Sequence, residues 1–565
     1  MPNIWQIKEK APQEFTEKFP ELPPIVTQLL FSRNLHSQEA VDEFLLPDYS
    51  QDIHDPFLFK DMDKACQRIY QAIEQGEQIT VYADYDADGV SSAVILNSVL
   101  TDLGAQVAVY LPHREKEGYG LNVVAVEEIV SNGTKLIITC DCGVSNNEEV
   151  ALANSKNIDV IVTDHHAFQE KLPEAYAIIH PQAPGETYPF KFLCGGGVSF
   201  KLAQALLKHV SNKFALKDSE SKEKWLLDMV AISTVADMVP IIGENRTLLK
   251  HGLIVLRKTR RVGLQMMFKI AGLEPKEINA TNIAFAIAPR INTAGRMDHA
   301  NQAYCLLIET DEAKAASMAA KLNDNNSERQ KITENIFREA KTLDINQDDK
   351  LLVFYKADWS TGLISLAANK LLREYNRPCL VICGQGEKIV GSARSLEGFN
   401  ITEALTKNKD LLLRFGGHPQ AAGFTTTQAN YETLIKNLKK LAEDQLKDSL
   451  FQNKLEIEKK IDLEQINWEL VDWLQKFEPH GQGNPEPYFV SENVLVSQAR
   501  KVGSDGKHLK LELAQNNKKI GGIGFGLGNI DLAVGHNVDI VYNININEWN
   551  GNREIQLKIK DIRVK

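Results

Sequence analysis

Between residues 78 and 163, four short apolar runs alternate with helical stretches, and three of the four lead directly into aspartate. The runs are Gln78–Tyr82, Gln106–Leu111, Lys135–Thr139 and Asp159–Thr163, with a helical stretch across Ser91–Leu103. Runs of five or six β-favouring residues without period-two alternation predict strands covered on both faces. Separated by helices, they imply βαβ units and a mostly parallel sheet.

In open α/β sheets, ligands bind beyond the carboxyl ends of the strands. The ends here read Asp84-Tyr85-Asp86-Ala87-Asp88-Gly89, Thr139-Cys140-Asp141-Cys142-Gly143 and Asp164-His165-His166. All three should therefore meet in space. Carboxylates at i, i+2 and i+4 repel one another strongly unless a cation lies among them. Carboxylates joined by imidazole suit Mn²⁺ or Mg²⁺, whereas zinc usually recruits thiolate or further histidine. A single aspartate after a strand is ordinarily a cap or a turn residue. Seven acidic or imidazole groups on three neighbouring strand ends exceed what capping requires. No G-x-x-x-x-G-K-[ST] loop or G-x-G-x-x-G run is present, and a calcium loop would need Glu where Ile95 stands.

The rest of the chain divides by composition into five segments. Residues 1–50, with Pro20, Pro23 and Pro24, read as an irregular N-terminal extension with one or two helices. Residues 51–300 hold the parallel-sheet domain, mainly helical after 198. Residues 301–345 contain a long connecting helix across about 311–341, free of Gly and Pro, with Met318, Leu322, Ile332, Ile336 and Ala340 near helical spacing. Residues 346–450 form a second α/β domain, with strands at 351–355 and 379–382 and a helix across Leu363–Glu374. Residues 451–565 follow with Gly/Asn turns between alternating strands such as 538–542 and 554–558, the pattern of an all-β, OB-like barrel.

The charge balance, 64 Lys and Arg against 75 Asp and Glu, excludes a uniformly basic polyanion binder. The imbalance is uneven, because residues 491–565 carry 11 basic against 8 acidic residues. No apolar run approaches the length of a membrane span. Seven scattered cysteines without a C-x-x-C pair fit free thiols in a reducing cytoplasm.

With these motifs assembled, the chain resembles the DHH phosphoesterase family, named for the triad seen here as Asp164-His165-His166. The likeness spans essentially the whole chain. It includes Arg114 before Glu117-Gly118-Tyr119-Gly120, then Thr234-Val235-Ala236-Asp237-Met238-Val239-Pro240, and Pro289-Arg290-Ile291-Asn292 through Arg296-Met297-Asp298. Gly391-Ser392-Ala393-Arg394-Ser395, Phe415-Gly416-Gly417-His418 and Gly481-Gln482-Gly483-Asn484-Pro485-Glu486-Pro487 complete it.

The resemblance implies a DHH domain, a DHH-associated domain and an OB-like nucleic-acid-binding barrel. It implies a 5′→3′ exonuclease of single-stranded DNA, using two Mn²⁺ or Mg²⁺ ions held by Asp86, Asp88, Asp141, His165 and Asp237. Asp141 would bridge them, Asp84 would add a ligand, and His166 would face the scissile phosphate. Arg114, Ser392 and Arg394 would surround a terminal 5′-phosphate, Arg290 and Arg296 the backbone, and His418 the cleft. Read from the residues alone, Asp237 could also cap a helix, the arginines could sit in surface ion pairs, and His418 could be core. Tyr488 and Phe489 could stack on bases or fill the barrel interior.

Three positions depart from the family pattern: Ser360 and Ser365 stand where His and Gly are expected, and Tyr82 where many relatives place a metal-binding His. Competing readings are another activity of the same family, on cyclic dinucleotides, short RNA or polyphosphate, and an inactive DNA-binding scaffold. Expected partners are single-stranded DNA, a single-strand-binding protein and a helicase, with no membrane association and a monomeric chain.

Overall fold

The computed structural model describes residues 3–168, 171–208, 216–346, 348–384, 386–549 and 551–565. A five-stranded, wholly parallel sheet organises the first domain. Its strands lie in the order Gln106–Tyr110, Gln78–Ala83, Thr134–Cys140, Asp159–Thr163, Ala177–Ile179. Strand order reverses between the strands 78–83 and 134–140, so their carboxyl ends flank a crevice at the topological switch point. The predicted strands are all present, and the near-continuous burial of 79–83 and 136–140 explains why they read as apolar runs.

The helix expected from Ser91 begins earlier, at Ala87, and runs to Asp102. Asp86 caps it, its side chain accepting from the N–H groups of Asp88 (2.9 Å) and Gly89 (3.1 Å). Asp-Ala-Asp-Gly is thus the first turn of a helix rather than a loop before one.

The 31-residue helix Glu312–Thr342 joins the two α/β domains. Ala315, Ala319 and Leu322 belong to the first domain's core, while Ile336 and Ala340 join that of the second. In the second domain, strands Leu352–Tyr355 and Cys379–Cys383 are parallel, and Lys388–Arg394, Ala421–Thr427 and Leu412–His418 extend the sheet antiparallel.

Five strands close the C-terminal barrel: Phe489–Val502, His508–Gln515, Lys518–Gly524, Asn552–Val564 and Asn537–Trp549, which pairs back onto the first. Phe489 is fully buried, so it is core; Tyr488 is half-buried against the strand pair at the domain's base.

The N-terminal residues correct the expectation of an irregular extension with one or two helices. Strand Ile4–Ile7 pairs in parallel with Lys454–Ile457, and three helices follow: Gln13–Lys18, Pro24–Phe31 and Gln38–Leu45. Phe15, Phe19, Leu29 and Phe44 share one core with Leu470, Phe477 and the barrel interior. The prolines suggest irregularity, yet Pro23 and Pro24 sit at the N-cap and first turn of a helix, where a missing N–H costs nothing.

Candidate metal centre

The crevice at the switch point gathers the three acidic strand ends, and the loop after helix Leu227–Ala236 adds a fourth contribution, Asp237. Three overlapping groups of donor atoms result: Asp84, Asp86 and Asp141; Asp88, His165 and Asp237; and Asp141, His165 and His166. Within each, the donors lie within 4.8 Å of one another. Asp141 and His165 each belong to two groups. His165 Nε2 stands 3.0 Å from Asp141 Oδ1, 3.6 Å from Asp237 Oδ2 and 3.7 Å from Asp88 Oδ2.

Electrostatically, the site is built for cations. Burial raises the Asp141 carboxyl well above the usual range, and Asp88, Asp86, Asp237 and Asp84 add to it. Asp84 and Asp237 rise for the same reasons, and Asp88 is pushed up to about 6 by burial and by Asp86. Burial lowers His165 to about 3, with His166 adding to the effect, so His165 is neutral, the form that ligates metals.

The residues fit divalent ions on two further observations. Asp84 Oδ1 is buried without a hydrogen-bond partner, a costly arrangement unless a cation meets it. Gly195 faces Asp141 so closely that a Cβ there would lie 2.6 Å from its carboxylate, leaving the crevice open only to a residue without a side chain. Asp141 itself adopts φ +60°, a left-handed conformation stored at the crevice floor.

Gly195, Gly196 and Ser233, which hold Asp88, lie outside the motifs read from the sequence. Asp88 Oδ2 and Oδ1 accept from the N–H groups of Gly195 (2.8 Å) and Gly196 (2.7 Å), at the start of helix Gly195–Lys208, and Ser233 Oγ–H donates to the same carboxylate. That helix end aims its dipole at the carboxylate. The Gly195-Gly196-Gly197 run is the one visible trace of this cradle in the sequence. Asp164 accepts from the N–H groups of Val144, His165 and His166, and its Oδ1 lies 2.9 Å from His166 Nδ1. Burial opposes charge on His166, but the Asp164 hydrogen bond and charge prevail and raise it to about 9. Tyr119 Oη lies 2.9 Å from His166 Nδ1 and donates to the Asp141 carbonyl.

Tyr82 takes no part. It is fully buried, donates to the Gly120 carbonyl and stacks on Tyr110 at 5.3 Å. Asp84, two residues on, is the strand-end group that enters the crevice.

The cationic residues fall into two places. Arg114 lies over the Tyr85 ring at 4.9 Å, and its charge helps lower both Arg296 and Arg394, where burial is the larger cause. Arg394, at the end of strand Lys388–Arg394, donates to Ser392 Oγ on the same strand (3.2 Å) and to Asn369 of helix Ile364–Tyr375 (2.8 Å). Arg296 is held across the domain junction, donating to the Gly362 carbonyl (3.2 Å) and to Ser365 Oγ (3.1 Å). The serine standing for glycine thus accepts from a half-buried guanidinium. Ser360 contributes its carbonyl to the turn before Ile364–Tyr375. His418 faces His166 across the cleft, ring centroids 6.5 Å apart. Arg290 lies apart from this group, donating to Asn323 (2.9 Å) and the Ala286 carbonyl (2.8 Å).

Comparison with known proteins agrees domain by domain. Residues 78–234 match the DHH family N-terminal domain, 348–448 the DHHA1 domain, and 457–561 the RecJ OB domain. The chain is 37% identical to the single-stranded-DNA-specific exonuclease RecJ of Bacillus subtilis, over 99% of this chain and 71% of that protein. It is 31% identical to RecJ of Escherichia coli, over 99% of both. Its fold superposes on the crystal structure of RecJ in complex with Mn²⁺ from Thermus thermophilus, with a TM-score of 0.84 and 27% identity, covering 99% of this chain and 79% of that one. A Mg²⁺ complex of the same protein superposes with a TM-score of 0.78 and 26% identity, over 99% of this chain and 78% of that one. The chain belongs to the RecJ family of single-stranded-DNA-specific exonucleases.

Proposed function

We propose that this protein is a metal-dependent exonuclease that degrades single-stranded DNA from its 5′ end to 5′-mononucleotides, in DNA repair and recombination. The observation that carries the reading is the overlap of three donor groups at Asp141 and His165, a set shaped for two neighbouring Mn²⁺ or Mg²⁺ ions. Asp84, Asp86, Asp88, Asp141, His165 and Asp237 are the ligands in this reading. Divalent ions held there supply Lewis acidity and activate water near neutral pH.

The chain's own groups do the rest. His166, fixed through Nδ1 by Asp164, donates to an oxygen of the scissile phosphate. Arg394, Ser392 and Arg114 bind the terminal 5′-phosphate, the guanidinium forks giving bidentate contacts that suit a chain end. Arg296 and Arg290 hold backbone phosphates, and His418 closes the cleft from the second domain. The fused barrel of oligonucleotide-binding type favours a long polymer over short RNA or cyclic dinucleotides, and an inactive scaffold would not need a complete donor set.

The protein acts in this reading as a cytoplasmic monomer, on strands opened by a helicase and covered by single-strand-binding protein. Its seven unpaired cysteines suit a reducing compartment. Among the described residues, no helix is long and apolar enough to cross a membrane.

The test is incubation with Mn²⁺ and oligonucleotides labelled at either end, single- and double-stranded. Mononucleotides released first from the 5′ end of single strands are expected. Release from the 3′ end, or none, would sink the reading.

A further inference from the structure

The Gly481-Gln482-Gly483-Asn484 motif belongs to the C-terminal domain and lies outside the metal centre, yet it touches the loop that carries Asp237. Helix Leu227–Ala236 ends at Asp237, and the next helix begins at Gly243. Between them Met238 takes φ +60° and is 68% exposed, so it contributes little packing to hold the loop. The loop is braced from outside instead. The Ile241 N–H donates to the Gln482 carbonyl at 2.7 Å. A Cβ on Gly481 would lie 2.8 Å from Ile241 Cγ1, and one on Gly483 would lie 3.2 Å from Pro240 Cβ at a backbone φ of +74°.

The motif is itself locked. Gly481 and Asn484 exchange both backbone hydrogen bonds, at 3.0 and 3.1 Å. The Asn484 amide donates to the Phe477 and Pro479 carbonyls, and its Oδ1 accepts from Arg33, in the turn after helix Pro24–Phe31. A closed, doubly anchored turn therefore presses on the far end of a loop whose near end bears a carboxylate of the metal centre.

We propose that this turn is a positioning element for Asp237, through which seating of the C-terminal domain sets the divalent-ion affinity of the catalytic crevice. The proposal rests on Asp237 being a ligand. Supports behind a metal ligand typically govern affinity by about 10–100-fold.

The test is calorimetric titration of the full-length protein with Mn²⁺, without DNA. Gly481→Ala should weaken Mn²⁺ binding by about tenfold or more, the low end of outer-shell effects, while its unfolding temperature in EDTA stays close to that of the parent. Cleavage should then recover at raised Mn²⁺. Ile241→Ala removes the atom that the new methyl meets, so the double variant Ile241→Ala/Gly481→Ala should bind Mn²⁺ as Ile241→Ala does. Gly483→Ala, pressing on Pro240, provides a second probe should Gly481→Ala fail to fold. Asp237→Asn separates the two ideas. If it binds Mn²⁺ like the parent, the ligand reading falls and the proposal with it. If Asp237→Asn is weakened while the folded glycine variants match the parent, the positioning proposal alone is overturned.

Discussion

His165 Nε2 lies 3.0 Å from Asp141 Oδ1, on an aspartate whose backbone occupies the left-handed region at φ +60°. The conformation decides which variant tests the carboxylate cleanly. Asn tolerates positive φ, whereas Ala there adds backbone strain to the loss of charge. Asp141→Asn is therefore expected to keep the fold and lose cleavage by roughly 10³-fold or more, beyond the 10–100-fold typical of an outer-shell group. Gel-shift affinity for single strands in EDTA should stay within a factor of a few. Retained cleavage would deny Asp141 its shared role.

Metal-free stability should depend on pH in a direction fixed by the buried carboxylates. Asp88 is raised to about 6, so its stabilising contribution is full below the ordinary carboxyl range and is lost as pH rises through 6. His166, raised to about 9, adds stability that is full below 6.5 and lost as pH rises through 9. His165, lowered to about 3, works oppositely and loses its contribution as pH falls from 6.5. Ions compete with protons for these groups. The Mn²⁺-induced rise in unfolding temperature should therefore be larger at pH 7.5 than at pH 5.5, read by scanning fluorimetry against EDTA. An increment that shrinks as pH rises would contradict the assignment.

The sheet is legible in the sequence because strands 78–83 and 134–140 are buried along nearly their whole length, and burial of both faces writes itself as an apolar run. The strand-end aspartates are legible for the same reason, since polarity at the end of such a run is conspicuous. The Asp88 cradle is not. It is made of backbone N–H groups from Gly195 and Gly196 and a hydroxyl from Ser233, more than a hundred residues away, and backbone donors leave no residue-type signature beyond the glycine run itself. The N-terminal strand and the third helix exceed a reading that expects an irregular extension with one or two helices, and proline misleads there because Pro23 and Pro24 start a helix rather than break one. The helices' partners, Phe477 and the barrel interior, lie over four hundred residues away.

End recognition should separate from chemistry at Arg394. Its guanidinium is set by Asn369 and lies beside Ser392, some distance along the chain from every metal-centre carboxylate. A charge-assisted phosphate contact is worth about 1.5–3 kcal/mol, which corresponds to roughly 10–100-fold. Arg394→Ala should lower kcat/KM on 5′-phosphorylated single strands by that factor and leave 5′-hydroxyl strands nearly unchanged. An equal loss on both substrates would place Arg394 in general strand binding instead.

Arg246 should be among the costliest single residues to remove, although it touches no substrate. Its side chain is buried, with Nε donating to the Phe44 carbonyl, Nη1 to Phe477 and Pro479, and Nη2 to Lys476 and Glu478. Five N–H groups thus meet five carbonyls from the N-terminal helices and from the end of helix Trp468–Lys476, tying both to helix Gly243–Leu256 of the first domain. Arg246→Ala strands those carbonyls in the interior, at about 1–3 kcal/mol for each that water cannot reach. A loss of roughly 3–5 kcal/mol in urea unfolding is expected, in the range reserved for broken buried networks. Arg246→Lys, a compact ammonium with three donors and no fork, should recover less than half of it. Full recovery by Lys would mean that charge alone, and not the fork of five donors, holds the domains together.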